Sequence, residues 1–355
     1  MRQSPGSSSL LRAGPLLALV LALALAACGG GSGLASPTIP ASESAAAGAS
    51  PGTGPSASPI AYPLTVTDDE GTSVTIPAPP KKIVSLTPAT TEILFAIGLG
   101  PKVVGRTQAD DYPPAAAQVP TVASYTSVDV EKIVGLGADL VIAGGNGFNP
   151  PDSIAKLRTL GIPVVVVYAK TVEGVFDDIR LVGRVAGASE RASALADSMA
   201  SQFDAIRAVT DGIERPLVFY EIDASSKIYT AADDSFLAEM ITIAGGDPLT
   251  TGSQTSYEIA LERIVSDNPA LILLGDAAYG VTAAQVRARP GWGTIAAVEA
   301  GSIYPVDDVV ITRPGPRLVQ GLLDLVRAIH PELQVAPAAS AAAAPQASPP
   351  ESAAP

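Results

Sequence analysis

One segment of this chain occurs twice, as VDVEKIVGLGADLVIA at 128–143 and as IALERIVSDNPALILL at 259–274. Aligning the two copies places Glu131 on Glu262, with conservative apolar exchanges around them. Each copy is typical of a short helix, with the glutamate just before it, that leads into a strand covered on both faces of a sheet. Because one α/β unit is repeated, the sequence predicts a fold built from two related halves.

The elements around the repeat also follow one order. In each half, a short apolar strand precedes a helix that closes on glycine, then a loop, the glutamate-bearing helix and a second apolar strand. A hairpin is predicted around Asp69-Glu70-Gly71. Residues 172–213 show no strand pattern and read as helix, with a break or bend near Gly187 and Ser189 as a cap for the second part.

We therefore predict an α/β protein with two lobes of mostly parallel sheet joined by one long helical connector. The N-terminal lobe is placed at 61–170, the connecting helix at 171–213 and the C-terminal lobe at 214–333. Because a helix of more than ~20 residues resists bending, we expect no large closure motion.

The N-terminal residues 1–27 have the pattern of a signal peptide, with two arginines before LLALVLALALAA, an apolar run too short to span a bilayer comfortably. Cys28 is the only cysteine, and the small residues before it resemble the lipobox of bacterial lipoproteins, in which the thiol takes a diacylglycerol. This predicts a lipid-anchored protein on the extracytoplasmic face of the cell membrane. The alternative is an ordinary cleavage site with a cysteine nearby.

Two segments outside the lobes are too poor in apolar residues to fold. Residues 28–60 are nearly all Gly, Ser, Ala, Pro and Thr and are predicted to be a flexible linker. Residues 334–355 form an Ala/Pro-rich tail, which we also predict to be disordered.

Charge and residue inventory exclude several functions. The net charge of −13 argues against nucleic-acid binding. His330 is the only histidine, so His-based triads and multi-His zinc sites are excluded, and no P-loop or dinucleotide fingerprint is present. This inventory leaves only carboxylate-based catalysis open, and we predict no enzyme, no resident metal and no cofactor. Aspartate doublets in predicted loops could line a site or serve as turn and N-cap residues: Asp110-Asp111, Asp233-Asp234 and Asp307-Asp308.

Several motifs together carry a family resemblance. KKIVSLTPATTEILFAIGLGPKVVG at 81–105, DDYPP, VEKIVGLGADLVIA, RPGWGTIAAVEAGSIYPVDD and TRPGPRLVQGLLDLVRAIHPEL resemble the solute-binding proteins of bacterial importers for cobalamin, haem and iron-siderophores, the class III periplasmic-binding domain. The resemblance implies two Rossmann-like lobes bridged by one long helix, with a shallow cleft that takes a large metal chelate. It also implies a monomer that delivers its cargo to an ABC permease dimer with ATPase subunits.

The same resemblance gives the repeated glutamates a role. In that family one surface glutamate on each lobe docks into arginine pockets on the two permease subunits, and Glu131 and Glu262 match those positions. The alternative is a carboxylate that favours the helix dipole, a contribution of ~0.3–1 kcal/mol.

The resemblance does not decide which of the metal chelates carried by these importers is the cargo. The LTPATTE and DYPP segments most resemble cobalamin-binding members, which makes a corrinoid the first choice and haem or a ferric siderophore the alternative. Ala109, which stands where those members often have an aromatic residue, argues against a corrinoid. The manganese and zinc members of the fold are disfavoured, since they need several imidazoles. An extracytoplasmic interaction or sensory lipoprotein is the alternative from another class.

Candidate ligand-binding residues are of three kinds. Aromatic side chains suit a flat ring system, and basic and acidic side chains suit a polar periphery, although surface salt bridges would explain the arginines equally well. Trp292 is also explained by core packing. The candidates are Tyr125, Tyr257, Trp292, Arg106, Arg313, Asp110, Asp111 and Asp308.

Overall fold

The computed structural model describes residues 60–333 except Tyr125 and Asn146. The predicted signal peptide, Cys28, the linker through residue 59 and the tail lie outside the described residues. None of the helices within the described range is long and apolar enough to cross a membrane.

The predicted hairpin is confirmed. Strands β1 (Leu64–Thr67) and β2 (Ser73–Ile76) pair antiparallel. The connecting turn is held by Asp68, whose carboxylate accepts the backbone N–H groups of Glu70 and Thr72 at 3.1 and 2.8 Å, and by Gly71 at φ +77°.

The first lobe contains a five-stranded parallel sheet, in the spatial order β5-β4-β3-β6-β7. Its strands are β3 (Ile83–Ser85), β4 (Val103–Thr107), β5 (Thr121–Ala123), β6 (Leu140–Ala143) and β7 (Val164–Val166). Every residue of β3, β6 and β7 is buried. These strands are therefore covered on both faces, as their largely apolar sequences predict.

Three helices cover this sheet, namely α1 (Pro88–Ala96), α2 (Val130–Leu136) and α3 (Pro151–Thr159). Helix α1 begins because the Thr87 side chain accepts the N–H of Thr90 at 3.3 Å and a proline occupies its first turn. The chain then turns at Gly98, whose φ of +75° confirms the predicted glycine stop.

The connector is helical, as predicted, but consists of two packed helices, α4 (Val172–Ala186) and α5 (Ser189–Thr210). Gly187 adopts φ +77° and breaks the helix. Ser189 is not a cap as expected, because Ala188 holds the N-cap position and Ser189 is already helical. The helices are in direct contact, since a Cβ on Gly183 would lie 2.1 Å from that of Ala192.

The second lobe repeats the first. Its parallel sheet has the order β10-β8-β12-β13, which matches β4-β3-β6-β7 of the first lobe. Its strands are β8 (Leu217–Glu221), β10 (Asp247–Pro248), β12 (Leu271–Leu274) and β13 (Ile303–Pro305). A separate pair, β9 (Ile228–Tyr229) and β11 (Glu258–Ile259), runs antiparallel.

The helices of this lobe complete the repeat. They are α6 (Phe236–Ile243), α7 (Leu261–Asp267), α8 (Ala283–Arg287), α9 (Ala296–Ala300), α10 (Asp308–Thr312) and α11 (Leu318–Ile329). Helices α2 and α7 each have seven residues, end at a left-handed residue (Gly137 or Asn268) and lead into a buried four-residue strand.

One continuous apolar cluster joins the lobes to the connector. It includes Ile93 of α1, Phe176 of α4, Phe203 of α5, Met240 of α6 and Leu322 of α11. The rings of Phe176 and Phe203 meet edge to face with centroids 5.5 Å apart. Because closure of the lobes would disturb this shared core, the packing supports a nearly fixed separation between the two lobes.

Candidate ligand-binding cleft

A cleft of about 550 Å³ lies between the lobes and is lined by residues of both. On the first lobe, several lining residues follow the ends of strands: Thr87 follows β3, Gly144 follows β6 and Tyr168 follows β7. On the second lobe Ile222 follows β8, and Phe236 begins α6. The cleft therefore lies at the carboxyl ends of the parallel strands, where ligands bind in open α/β sheets.

Large aromatic side chains are exposed in this cleft. Phe148, Tyr168 and Tyr257 are 61%, 40% and 46% exposed, and Phe236 lies with them. Of these, the sequence predicted only Tyr257. Both Phe148 and Tyr168 come soon after a predicted buried strand, so an aromatic residue at such a strand end was the signal that would have found them. Tyr125 lies outside the described residues.

Arg313 does line the cleft, but its guanidinium is engaged by carboxylates of the other lobe. Its Nη1 lies 2.7 Å from Oε1 of Glu92 and 2.7 Å from Oδ1 of Asp111. Arg317 also binds Glu92, at 2.7 and 3.0 Å, and lies over the Tyr112 ring at 4.3 Å. The sequence identified Arg313 and Asp111 but gave no indication of Glu92 or Arg317, which complete this interlobe ion cluster.

The ion cluster stabilises its own charges. Although burial acts in the opposite direction, the hydrogen bond and charge of Arg313 lower the pKa of Asp111. Burial likewise opposes the charge of Arg313, but its hydrogen bonds to Asp111 and Glu92 raise the pKa of Arg313. Asp111 and Arg313 therefore hold their charges near neutral pH.

Asp110 does not reach the cleft. It is 3% exposed, and its carboxyl accepts the hydroxyls of Thr91 and Thr107 and the backbone N–H of Thr107. Burial raises the pKa of Asp110 despite these bonds. Asp110 thus ties the loop after β4 to helix α1, a structural role rather than a contact with ligand.

Arg106 and Trp292 are also directed elsewhere. Arg106 lies within β4, and its Nε and Nη1 donate to the carbonyl oxygens of Ala116 and Thr107 at 2.8 and 2.6 Å. Trp292 is 3% exposed and packs against Phe219 with ring centroids 5.9 Å apart. Neither residue lines the cleft. The core-packing interpretation of Trp292 is confirmed.

Asp308 lines the cleft at the start of α10, whose N-cap is Asp307. Its carboxylate accepts the hydroxyl of Tyr220 at 2.8 Å and that of Thr312 at 3.3 Å. Burial raises the pKa of Asp308 even though both hydrogen bonds act to lower it. The aspartate is therefore held in place by the second lobe, with one side toward the cleft.

Asp178 of α4 is a further acid of the cleft, which the sequence did not reveal. It is 7% exposed, and burial, followed by the hydrogen bond and charge of Asp69, raises the pKa of Asp178 to about 9. Asp69 in turn accepts the backbone N–H of Tyr168 at 2.6 Å. Asp178 is therefore neutral at pH 7 and helps to hold the segment that presents Tyr168.

This acid predicts a pH dependence of stability. The folded protein keeps the Asp178 proton up to about pH 9, whereas the unfolded chain loses it above about pH 3.9. Between these values the folded state binds more protons, so the free energy of unfolding falls as the pH rises. Relative to Asp178→Asn, which cannot ionise, we expect the wild type to lose on the order of 2–4 kcal/mol from about pH 5 to about pH 8.

Urea denaturation at several pH values measures this difference. Asp204→Asn, which removes an exposed aspartate paired with Arg207 on α5, should follow the wild-type pH dependence. Parallel curves for Asp178→Asn and the wild type would contradict a protonated Asp178.

The cleft as a whole offers no unpaired cation among its described residues. Among the lining residues that the structure describes, Arg313 is the one basic side chain, and it is bound to two carboxylates. Lys170 does not line the cleft; its Nζ lies 5.5 Å from the Tyr168 ring centroid. Within the described residues, no group of three or more His, Cys, Asp or Glu side chains is arranged to hold a metal ion.

The repeated glutamates occupy equivalent positions outside the cleft. Glu131 and Glu262 are exposed, and each lies in the first turn of its helix, α2 or α7, rather than just before it. The buried isoleucines Ile133 and Ile264 fix the two helices on their lobes in the same way. Each lobe therefore presents one carboxylate from the same structural place.

Comparison with known proteins agrees with this architecture. Residues 83–310 match the family described as periplasmic binding protein. An uncharacterized ABC transporter substrate-binding lipoprotein of Bacillus subtilis is 37% identical over 276 residues, which cover 76% of this chain and 87% of that protein.

Two solved structures are similar over the same region. The periplasmic vitamin B12-binding protein of Vibrio cholerae is 27% identical, with a TM-score of 0.62 over 71% of this chain and 97% of that one. A periplasmic heme-binding protein of Roseiflexus is 26% identical, with a TM-score of 0.63 over 71% of this chain and 98% of that one.

The family match covers more than half of the chain. Substrate-binding proteins of ABC transporters are non-enzymatic and serve a permease and its ATPase. The chain belongs to the periplasmic binding protein family and is a substrate-binding protein of an ABC transporter.

Proposed function

We propose that this protein captures a corrinoid in the interlobe cleft, acts as a monomer and delivers its cargo to an ABC permease. The observation that carries the choice of cargo is a cleft with broad aromatic surfaces and without an unpaired cation among its described residues. A corrin ring is broad and flat, and its periphery carries uncharged amides. Apolar contact with Phe148, Tyr168 and Tyr257, and hydrogen bonds to hydroxyls such as Thr312, suit both features.

Haem and ferric siderophores are the alternative cargoes, and the likeness to a heme-binding protein keeps haem in consideration. Both classes carry carboxylates or catecholates, which binding proteins usually match with free arginines. Arg313 is already occupied by Glu92 and Asp111. The described cleft therefore favours the uncharged periphery. Membership in the substrate-binding family argues against a lipoprotein that holds no small ligand.

Cleft aromatics give a first test. Replacing Phe148 or Tyr257 with alanine removes an exposed ring from the cleft. Because a buried aromatic contact contributes on the order of 1–2 kcal/mol, each variant should bind cyanocobalamin about tenfold more weakly in a calorimetric titration. Tyr279, which is 88% exposed and does not line the cleft, provides the matched control, and Tyr279→Ala should bind like the wild type. If all three variants bound cyanocobalamin with the wild-type affinity, the cleft would be excluded as the binding site.

We also propose that Cys28 carries a lipid anchor. The proposal is supported by the lipobox-like residues before it and by the lipoprotein relative in Bacillus subtilis. Acyl chains hold a protein on a bilayer through ~0.8 kcal/mol per buried methylene. Metabolic labelling with radioactive palmitate should mark the wild type and not Cys28→Ser; equal labelling of both would refute the anchor.

Finally, we propose that Glu131 and Glu262 bind the two permease subunits. The proposal is supported by their exposure and by their equivalent places on α2 and α7. Two like subunits require the same charge presented twice, once by each lobe.

A further inference from the structure

Arg313 is a cation within the cleft wall that the protein itself neutralises. It follows α10 and lines the cleft, yet its side chain is only 15% exposed. Its Nη1 is within 2.7 Å of both Glu92 and Asp111. A ligand that approaches this wall therefore meets an ion pair instead of a free guanidinium.

The balance of charge in the cluster depends on Asp111. Glu92 serves two cations at once, because Arg317 binds the same carboxylate at 2.7 and 3.0 Å. Two arginines and two acids sum to zero, and removal of one acid leaves one positive charge at the cleft wall. Glu92 is buried with 1% of its side chain exposed, whereas 63% of the Asp111 side chain is exposed. Asp111 is thus the acid that can be changed without opening the core.

We propose that Asp111 is a specificity-determining residue: by occupying Arg313 it disfavours chelates with peripheral carboxylates or catecholates and leaves uncharged ones unaffected. This inference rests on the proposed function, in which the cleft binds a flat metal chelate. An anionic group near Arg313 must either displace Asp111 or remain beside a like charge. Specificity then comes from rejection of the wrong cargo as well as attraction of the right one.

The test is a comparison of Asp111→Asn with the wild type, using haem and cyanocobalamin as probes in calorimetric titrations. Freed from one acid, Arg313 should bind a haem propionate, and we expect the haem affinity to rise about tenfold. This gain in haem affinity should shrink as salt is added, because the contact between Arg313 and the propionate forms at the surface of the cleft, where salt screens it. The affinity for cyanocobalamin should stay within about threefold of the wild type.

Two variants separate this effect from general changes of charge or structure. Asp204→Asn makes the same change in net charge at an exposed pair with Arg207 on α5, and it should leave both affinities unchanged. Asp111→Glu keeps the carboxylate and should keep the wild-type preference.

A haem affinity that is unchanged or lower in Asp111→Asn overturns the inference, as does an equal gain in Asp204→Asn. Failure of the proposed function has a different signature, namely a wild type that does not bind cyanocobalamin. The two results are independent, because the inference is measured by the ratio of haem affinities between variant and wild type.

Discussion

Substrate uptake is expected to be abolished when Glu131 and Glu262 are both replaced with arginine, while binding of cyanocobalamin to the purified protein remains intact. Both side chains are exposed in the first turn of a short helix, so the substitutions leave the core and the cleft unchanged. If these carboxylates meet arginines of the permease, reversal of their charge turns two attractions into repulsions, which cost several kcal/mol at an interface.

Uptake of labelled cyanocobalamin by cells that lack the wild-type gene measures this effect. Glu173→Arg is the matched control, since Glu173 is also an exposed first-turn glutamate, but it lies on α4 of the connector. A role limited to the helix dipole predicts that all three glutamates behave alike. Undiminished transport by the double variant would refute the docking role.

Of the substitutions proposed, replacement of Glu92 is expected to lower the free energy of unfolding most. Its carboxylate is 1% exposed and accepts hydrogen bonds from Arg313 and Arg317 of the other lobe. Glu92→Gln leaves two half-buried guanidiniums without the anion that they share. Removing one partner of a buried ion pair costs about 3–5 kcal/mol, so the free energy of unfolding should fall by about that amount.

Chemical denaturation of a double-mutant cycle tests this assignment. Glu92→Gln combined with Arg317→Met removes the cation that loses its carboxylate partner, whereas Arg313 keeps Asp111, so the double variant should recover part of the loss. The exposed pair of Asp204 and Arg207 provides the comparison, since Asp204→Asn should cost no more than ~1 kcal/mol. A loss of under ~1 kcal/mol in Glu92→Gln would mean that the interlobe ion cluster does not hold the lobes together.

The fold was largely predictable because its signals are local. The repeat of a helix, a left-handed stop and an apolar strand is visible at 130–143 and again at 261–274, and the structure confirms both copies. The strand pair β9 and β11 was less evident, because each strand has two residues and its pairing depends on a distant partner.

The cleft was harder to predict because its determinants are long-range. Glu92 and Arg313 are separated by 221 positions in sequence, and no local pattern links them. Arg106 shows a second difficulty, since its place within β4 directs its guanidinium to the carbonyl oxygens of Ala116 and Thr107. Residue type alone therefore did not separate the arginine that lines the cleft from the one that supports a loop.

Asp178 illustrates a third limit. Its sequence context, FDDIR, is that of an ordinary amphipathic helix. Burial, followed by the approach of Asp69 from the hairpin turn and then by the charge of Asp177, raises the pKa of Asp178 to about 9. An acid becomes unusual through the elements packed around it, which the sequence of its own helix does not show.

Calorimetric titration of the wild type with cyanocobalamin, haem and a ferric catecholate chelate, under one set of conditions, tests most directly whether this cleft selects an uncharged, flat chelate. We expect cyanocobalamin to bind most tightly, by at least about tenfold over either anionic chelate. Tighter binding of haem or of the ferric chelate, or no binding of cyanocobalamin, would contradict the account.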